Sequence, residues 1–326
     1  MNTVLVTGGA GYVGSHCCKE FASNGWRVVT LDNLSRGWRE SVKWGPLIEA
    51  DIADKDAVRG AIAEYQPDLI AHFAAYAYVG ESVSAPEIYY DNNVSKTLAL
   101  LEAARAEGTI PFLFSSSCAT YGHPLTRVIN ESHPQSPINP YGWTKFIIER
   151  MLADYAVAHA LPSIALRYFN AAGADPDGDI GERHEPETHA IPLAIEAALG
   201  TGGSFHVLGS DFDTPDGSAV RDYIHVKDLA RAHVLAGERL LSLEAGAEVY
   251  NLGTGTGTSV KEIVAAVSRA TGNDLEAVIS PRRAGDPAML VADPSKAASV
   301  LGWQAEHSSI DEIMRAAVAW HRRPQA

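Results

Sequence analysis

Tyr141 and Lys145 stand in the spacing Y-x-x-x-K. On a helix that spacing puts a phenol and an ammonium on one face. A free tyrosine titrates near 10, and an adjacent cation favours its phenolate at about 1.36 kcal/mol per pKa unit. A tyrosine brought toward neutrality can take a proton from a hydroxyl, which is general-base chemistry. The spacing alone is common and equally describes a surface neighbour pair. Two other runs give it weight: the serines Ser115, Ser116 and Ser117 at the end of an apolar stretch, and the N-terminal run Thr3-Val-Leu-Val-Thr-Gly8-Gly-Ala-Gly11-Tyr12-Val13-Gly14.

That N-terminal run reads as a strand, a glycine turn and a helix start. Such a turn lets backbone approach a pyrophosphate, with a helix N-terminus supplying N–H donors and partial positive charge. The glycines follow G-x-x-G-x-x-G rather than the dehydrogenase spacing G-x-G-x-x-G, so context has to carry the reading. A second strand, Arg27–Leu31, ends on Asp32. A carboxylate about 20 positions beyond the glycines accepts hydrogen bonds from an adenosine ribose and repels a 2′-phosphate. The expected cofactor is therefore NAD rather than NADP. Its cationic nicotinamide would add to Lys145 in favouring a Tyr141 phenolate.

The elements that must position these residues alternate along the first half of the chain. Strands are expected at Val4–Thr7, Val28–Asp32, Pro46–Asp51, Leu69–Ala74, Phe112–Ser116 and Ser163–Tyr168, with helices at Ser15–Asn24, Asp56–Tyr65, Asn93–Glu107 and Gly142–His159. Alternation of this kind predicts an α/β Rossmann-type, doubly wound parallel sheet. Ligands of such sheets lie beyond the carboxyl ends of the strands. Gly8, Asp32, Asp51, Ala74, Ser115–Ser117 and Phe169–Asn170 all fall at those ends. Beyond Ala172 the texture turns loop-rich, with helices expected at Ile191–Leu199, Lys227–Leu240 and Ser259–Thr271 and a strand at Val249–Gly253. We expect residues 1–172 to form the dinucleotide-binding domain, with a return of the chain near 221–240, and 173–326 a smaller α/β substrate lobe.

A net charge of −14 sets the global field against nucleic acid, so no nucleic-acid partner is expected. A local site can still hold an anionic nucleotide sugar. Cys17, Cys18 and Cys118 offer no disulfide framework, which suggests reduced thiols and a cytoplasmic protein. No signal peptide is expected at the N-terminus, and no run reaches the ~18 apolar residues of a membrane span.

Taken jointly, the motifs resemble those of the extended short-chain dehydrogenase/reductases, and within them the UDP-glucose 4-epimerases. Beyond the glycine turn and Tyr141/Lys145, the resemblance rests on His72–Ala75, Val79–Ser82, Tyr89–Asn93, Ser115–Ser117, Pro137–Gly142 and Leu166–Asn170. It continues through Val220–Val226, Tyr250–Gly255 and Pro281–Asp286, so that it spans Val4 to about Trp320. The resemblance implies an isomerase that uses tightly held NAD to oxidise and re-reduce C4 of a UDP-hexose. NAD would be held by Gly8, Gly11, Tyr12, Val13, Gly14, Asp32, Asn33, Asp51, Ile52, Phe73, Ala74, Ala75, Asn92, Ser115 and Tyr168, together with Tyr141 and Lys145. Tyr141 would be the base, Lys145 its partner, and Ser117 a donor to the reacting hydroxyl. Phe169, Asn170, His189, Arg221, Tyr223, Arg283, Asp286 and Leu290 would line the UDP-sugar site. A homodimer through Asn93–Glu107 and Gly142–His159 is also implied.

Several positions depart from the family pattern. Ala77 stands where members often carry a lysine near a cofactor phosphate. Thr188-His189 replaces an asparagine pair. Leu290 holds a place thought to gate N-acetylated sugars, and Ala74–Val79 is similar to plant UDP-xylose/UDP-arabinose 4-epimerases, so pentose and N-acetylated substrates stay open. A nucleotide-sugar dehydratase would need an acid pair where this chain has Cys118-Ala119, and a non-catalytic NAD-binding protein would tend to lose the tyrosine or the lysine. No metal is expected, because Pro186 disfavours a helix carrying both His184 and His189 on one face. Cys118 has no evident base and reads as a small buried thiol.

Overall fold

The computed structural model describes residues 1–283 and 286–323. Ala284 and Gly285, inside the Pro281–Asp286 run, lie outside the described residues, as does the 324–326 end of the expected second lobe.

Chain order begins β1 (Thr3–Thr7), α1 (Tyr12–Ser23), β2 (Arg27–Asp32), β3 (Leu47–Glu49), α2 (Lys55–Tyr65) and β4 (Leu69–His72). Two short helices follow, α3 (Val79–Ser84) and α4 (Pro86–Tyr89), then α5 (Lys96–Glu107), β5 (Phe112–Ser117), α6 (Pro140–His159) and β6 (Ser163–Tyr168). The second half holds β7 (Asn170–Ala172), α7 (Ala190–Leu199), β8 (His206–Leu208), β9 (Val220–Arg221), β10 (Tyr223–His225) and α8 (Val226–Leu240). It closes with β11 (Ala247–Leu252), β12 (Thr258–Ser259), α9 (Val260–Thr271), β13 (Val278–Ser280), β14 (Met289–Leu290), α10 (Ser295–Leu301) and α11 (Ile310–His321).

Seven strands form one parallel sheet in the order β11-β6-β5-β4-β1-β2-β3. Side chains of a strand alternate between faces, and a sheet covered on both must be apolar at every position. In β1, Val4 and Val6 face a layer built with Phe21 of α1, Leu229 of α8 and Trp303, whereas Leu5 faces Val58, Leu100 and Ile148 of α2, α5 and α6. The strand order reverses between β1 and β4, which opens the crevice where such sheets bind ligands. Residues 247–252, expected beyond the first domain, supply the sheet's edge strand β11 beside β6. The remaining helices α7, α9 and α11 pack around Ile195, Ile263 and Ile313 as a separate small core.

The helix expected over Asn93–Glu107 is two segments. A π-helical turn over Tyr90–Ser95 precedes α5. Its wider turn lets two consecutive residues, Asn92 and Asn93, both face inward, and such turns concentrate at functional sites. The helix expected to start at Gly142 starts at Pro140, since Asn139 caps it through Oδ1, which accepts from Gly142 N at 2.8 Å. A proline at the first helical position and an asparagine cap fix where α6 begins, and hence the height of Tyr141. Farther along α6, buried Glu149 pairs with Arg167 of β6, with Nε–Oε1 at 2.9 Å, and also accepts from Ser116 of β5. A buried ion pair of this kind fixes register more surely than it adds stability.

Candidate active site

The glycine turn is built by close backbone approaches. Gly8 has φ +77°, and a Cβ there would lie 2.4 Å from Ala74 N. At Gly14 a Cβ would lie 2.2 Å from Gly8 O, so α1 can cross β1 this closely only with glycine in place. Around Gly11, by contrast, the nearest atom to a Cβ would be Gly8 O at 3.4 Å, which leaves that side open. Gly11 caps α1 without any side-chain hydrogen bond, so the first-turn N–H groups of Tyr12 and Val13 face outward unpaired by a cap. An open cradle of donors at a helix N-terminus fits a dinucleotide pyrophosphate. Gly14→Ala should cost about 3 kcal/mol of stability, since backbone rather than a side chain must yield. It should also abolish retention of the dinucleotide. Thermal unfolding and the absorbance of co-purified cofactor measure both, and a variant that keeps full cofactor would refute this account of the turn.

Asp32 closes the turn from β2. Its carboxylate accepts from Ala10 N at 3.0 Å and Leu34 N at 2.8 Å and keeps lone pairs for a ribose. Burial raises its pKa, against the pull of those two N–H donors. Asp51 stands after β3. Burial opposes its charge, yet the Lys96 ammonium at 2.8 Å, with Ala53 N and Asn33 Nδ2, holds it below the usual carboxylate range. Ile52 is buried in the second core layer, and Val13 packs against the first. Phe73 and Ala74 press on Gly8, with Ala75 next in the same loop. Tyr12 donates to Gly173 O at 2.7 Å, tying the turn to the loop after β7. No lysine stands at Ala77, but the Arg36 guanidinium lies 5.1 Å from the ring centres of both Tyr76 and Tyr78 and donates to Glu81 Oε1 at 2.8 Å. Positive charge beside this loop therefore comes from β2's own trailing segment.

The catalytic candidates converge between β5 and α6. Tyr141, Ser117 and Lys145 are all buried. Lys145 Nζ donates to Ser115 O at 2.8 Å and lies 5.8 Å from the Tyr141 ring centre. Ser115 Oγ is 2.8 Å from the Tyr168 hydroxyl. Burial pushes the Tyr141 phenol well up despite its hydrogen bond with Ser117, and burial pushes Lys145 down to about 7 with only Glu149 opposing. Burial therefore opposes the charged form of both groups when the site holds no cofactor.

A second group of candidates gathers around β7, β9 and β14. Arg221 donates to Val220 O and Pro287 O and lies 3.7 Å from Asp286 Oδ1. Arg283 makes a two-point contact with Asp286 at 3.1 and 2.8 Å. Asp286 thus sets two arginine forks side by side, an arrangement suited to a diphosphate. Asn170 of β7 lies in register with Tyr223 of β10, and Leu290 with Arg221. Leu290 packs with Phe169 and Cys118 against a small cluster that includes Tyr121. Burial raises the Cys118 thiol to about 12, consistent with an inert filler. His189 lies at the N-terminus of α7, where its Nδ1 is taken by Glu182; burial opposes its charge, but Glu182 and Glu187 hold its pKa up at about 9.

Two residues escaped sequence reasoning. Asn93 is fully buried and holds Tyr76 N and O and Thr144 Oγ1, so one amide spaces the loop after β4 from the helix of Tyr141. The signal was present in the Asn92-Asn93 pair, of which only Asn92 drew a role. Asp222 accepts from Thr254, Gly255 and Ala292 backbone N–H groups and fixes the strand of Arg221. Its clue in the sequence is its place beside Arg221 within the Val220–Val226 run.

Comparison with known proteins adds four findings. A family described as NAD dependent epimerase/dehydratase matches residues 4–253. A UDP-glucose 4-epimerase of Rhizobium leguminosarum bv. trifolii is 53% identical over 322 residues, covering 98% of each chain. Among solved structures, the UDP-glucose 4-epimerase of Brucella ovis in complex with NAD superposes with a TM-score of 0.95 at 52% identity, covering 98% of each chain. The enzyme of Bifidobacterium longum in complex with NAD+ and UDP gives 0.92 at 38% identity, again over 98% of both.

Proposed function

The chain belongs to the NAD dependent epimerase/dehydratase family and epimerises a UDP-hexose reversibly at C4 with NAD; on that premise we propose how its residues divide the work. The observation that carries the assignment is that Tyr141, Ser117 and Lys145 are buried together where β5 meets α6, in a chain that also holds an open helix N-terminus and two arginines set by Asp286.

Gly8, Gly11 and Gly14 let the cofactor diphosphate approach, and Asp32 takes the adenosine ribose. Asn33, Asp51, Ile52, Asn92 and the Phe73–Ala75 loop line the same cleft. NAD, when bound, supplies a hydride acceptor at C4 and returns the hydride, so the sugar passes through a 4-keto form without net oxidation. Tyr141 takes the proton of the 4-hydroxyl and gives it back on the other face. Ser117 donates to that oxygen, and Lys145 holds the nicotinamide ribose and adds positive charge beside the phenol. Arg221 and Arg283, set by Asp286, grip the diphosphate with Asn170 and His189, while Phe169 and Tyr223 wall the nucleotide. Tight binding of UDP and loose binding of the hexose allow the ring to turn over, and binding energy remote from the reacting carbon keeps the intermediate from leaving.

The test is to give the purified protein UDP-galactose without added NAD and to follow the anomeric protons by NMR. Interconversion with UDP-glucose is expected; no conversion even with NAD added would overturn the assignment. UDP-xylose and UDP-N-acetylglucosamine in parallel name the preferred sugar. Leu290 packs beside Phe169 in register with Arg221, which supports its role as a size gate. Leu290→Tyr should lower turnover of the N-acetylated sugar at least tenfold more than that of UDP-galactose, about 1.4 kcal/mol of discrimination. Equal losses on both would refute the gate.

A homodimer through α5 and α6 is supported by Leu98, Trp143 and Val157, which stand exposed on those helices, and sedimentation velocity reads it. The three free cysteines support a cytoplasmic location, which cell fractionation checks. Among the described residues no helix is long and apolar enough to cross a membrane.

A further inference from the structure

The loop between β7 and α7 gathers four donors that catalysis leaves largely unused. One atom each of Glu182, His184, Glu187 and His189 lies within 4.8 Å of the other three. His184 Nδ1 is 3.4 Å from Glu182 Oε1 and 3.4 Å from Glu187 Oε2, and His189 Nδ1 meets Glu182 Oε1. A tetrahedral ion with bonds of about 2.0–2.1 Å has edges of about 3.3–3.4 Å, close to the two His184 separations. The objection from Pro186 was that no helix could carry both histidines. The fold uses none: an irregular loop brings the two imidazoles to one point and adds Glu182, which lies outside the His184–His189 run.

Three features distinguish this cluster from an ordinary ion-pair network. His184 Nδ1 is buried and has no hydrogen-bond partner, although two carboxylates face it. Glu187 uses Oε1 for Thr188 N and His189 N, which leaves Oε2 turned toward His184. Among the described residues only the two imidazoles, His189 on Glu182 foremost, meet these glutamates; no lysine or arginine does, and Arg183 stacks on Trp38 instead. The neighbouring acidic cluster of Asp175, Asp177 and Asp179 behaves differently, since the Lys19 ammonium fills it at 2.7, 2.7 and 3.1 Å.

We propose that Glu182, His184, Glu187 and His189 form a binding site for a divalent first-row transition metal, with zinc the best match to two imidazoles and two carboxylates. Surrounding groups already hold the ligands. Trp320 Nε1 donates to Glu182 O at 2.9 Å, and the rings of Tyr12 and Tyr78 pack edge-on against His184. Through the His184 ring the site lies against the start of α1, where Tyr12 also holds Gly173. Ligation at Nδ1 fixes the His189 tautomer with its proton on Nε2, ready to donate to a phosphate oxygen. That last consequence, and only that one, rests on the diphosphate role given to His189 above.

The full chain with its retained cofactor is stripped with a chelator, dialysed and titrated with Zn2+ in competition with a chromophoric chelator. One Zn2+ per chain is expected, and Co2+ in its place should give the strong visible bands of a four-coordinate ion. Glu187→Gln and His184→Ala should each weaken Zn2+ by about tenfold or more. Glu187→Gln is nearly isosteric, so folding is preserved and checked by its unchanged melting temperature without metal. Absence of stoichiometric Zn2+, or uptake that neither variant changes, would overturn the site. Epimerisation of UDP-galactose in the same samples reads the function separately, so a failed metal site and a failed enzyme assignment are distinguishable.

Discussion

Tyr141→Phe is expected to lower kcat by about a thousandfold or more while UDP binding stays nearly intact. General acid–base groups contribute about 10²–10⁴, and Tyr141 would serve in both proton transfers, at oxidation and at return. The phenol is buried on α6 with Ser117 beside it, so phenylalanine keeps the packing and removes only the hydroxyl. Steady-state rates with UDP-galactose, together with UDP titration by calorimetry, separate the two quantities. Turnover within a few-fold of the parent would remove Tyr141 as the base.

Lys145→Ala is expected to move the rising limb of the pH–rate profile upward by at least about one pH unit, ~1.4 kcal/mol of lost charge stabilisation. Burial raises the phenol, and wherever Lys145 keeps its proton the ammonium favours the phenolate, so removing it shifts deprotonation to higher pH. Retention of NAD should fall in parallel if the ammonium beside Ser115 holds the nicotinamide ribose as proposed. Superimposable profiles would end the tuning role. Stability of the cofactor-free chain gives an independent reading. Lys145 titrates near 7 when folded and near 10.5 when unfolded, so between those values the unfolded chain binds the extra proton. Stability contributed by this site therefore rises with pH from about 7 to about 10, and below 7 the buried charge is a constant penalty. The alanine variant should lose that slope in denaturant titrations across the window.

Local signals were legible wherever one stretch of chain carried them. The alternating buried strands, the Gly8–Gly14 turn ending in a helix, Asp32 at the end of β2 and the Tyr141–Lys145 spacing could all be read in order, because periodicity of 2 or 3.6 and glycine content are properties of neighbours. Even so, boundaries slipped at caps. Gly11 and Asn139 each start a helix earlier than the apolar pattern suggests, since a cap acts through backbone N–H groups that leave no hydrophobic trace.

The approaches between distant segments were decided by the tertiary structure alone. Residues 247–252 join the sheet beyond β6 because only the packed α8 and the exposed edge of β6 say where a late strand can pair. Asp286 brings Arg221 and Arg283 together from different elements. Asn93 spaces the β4 loop from α6 through an amide whose partners are 17 and 51 positions away. Glu182 completes a donor set with His184, Glu187 and His189 that a helical reading of the same run rejects. The charge state of the catalytic pair belongs here too. The sequence places a lysine beside a tyrosine, but only the packing shows that burial opposes the charged form of both groups.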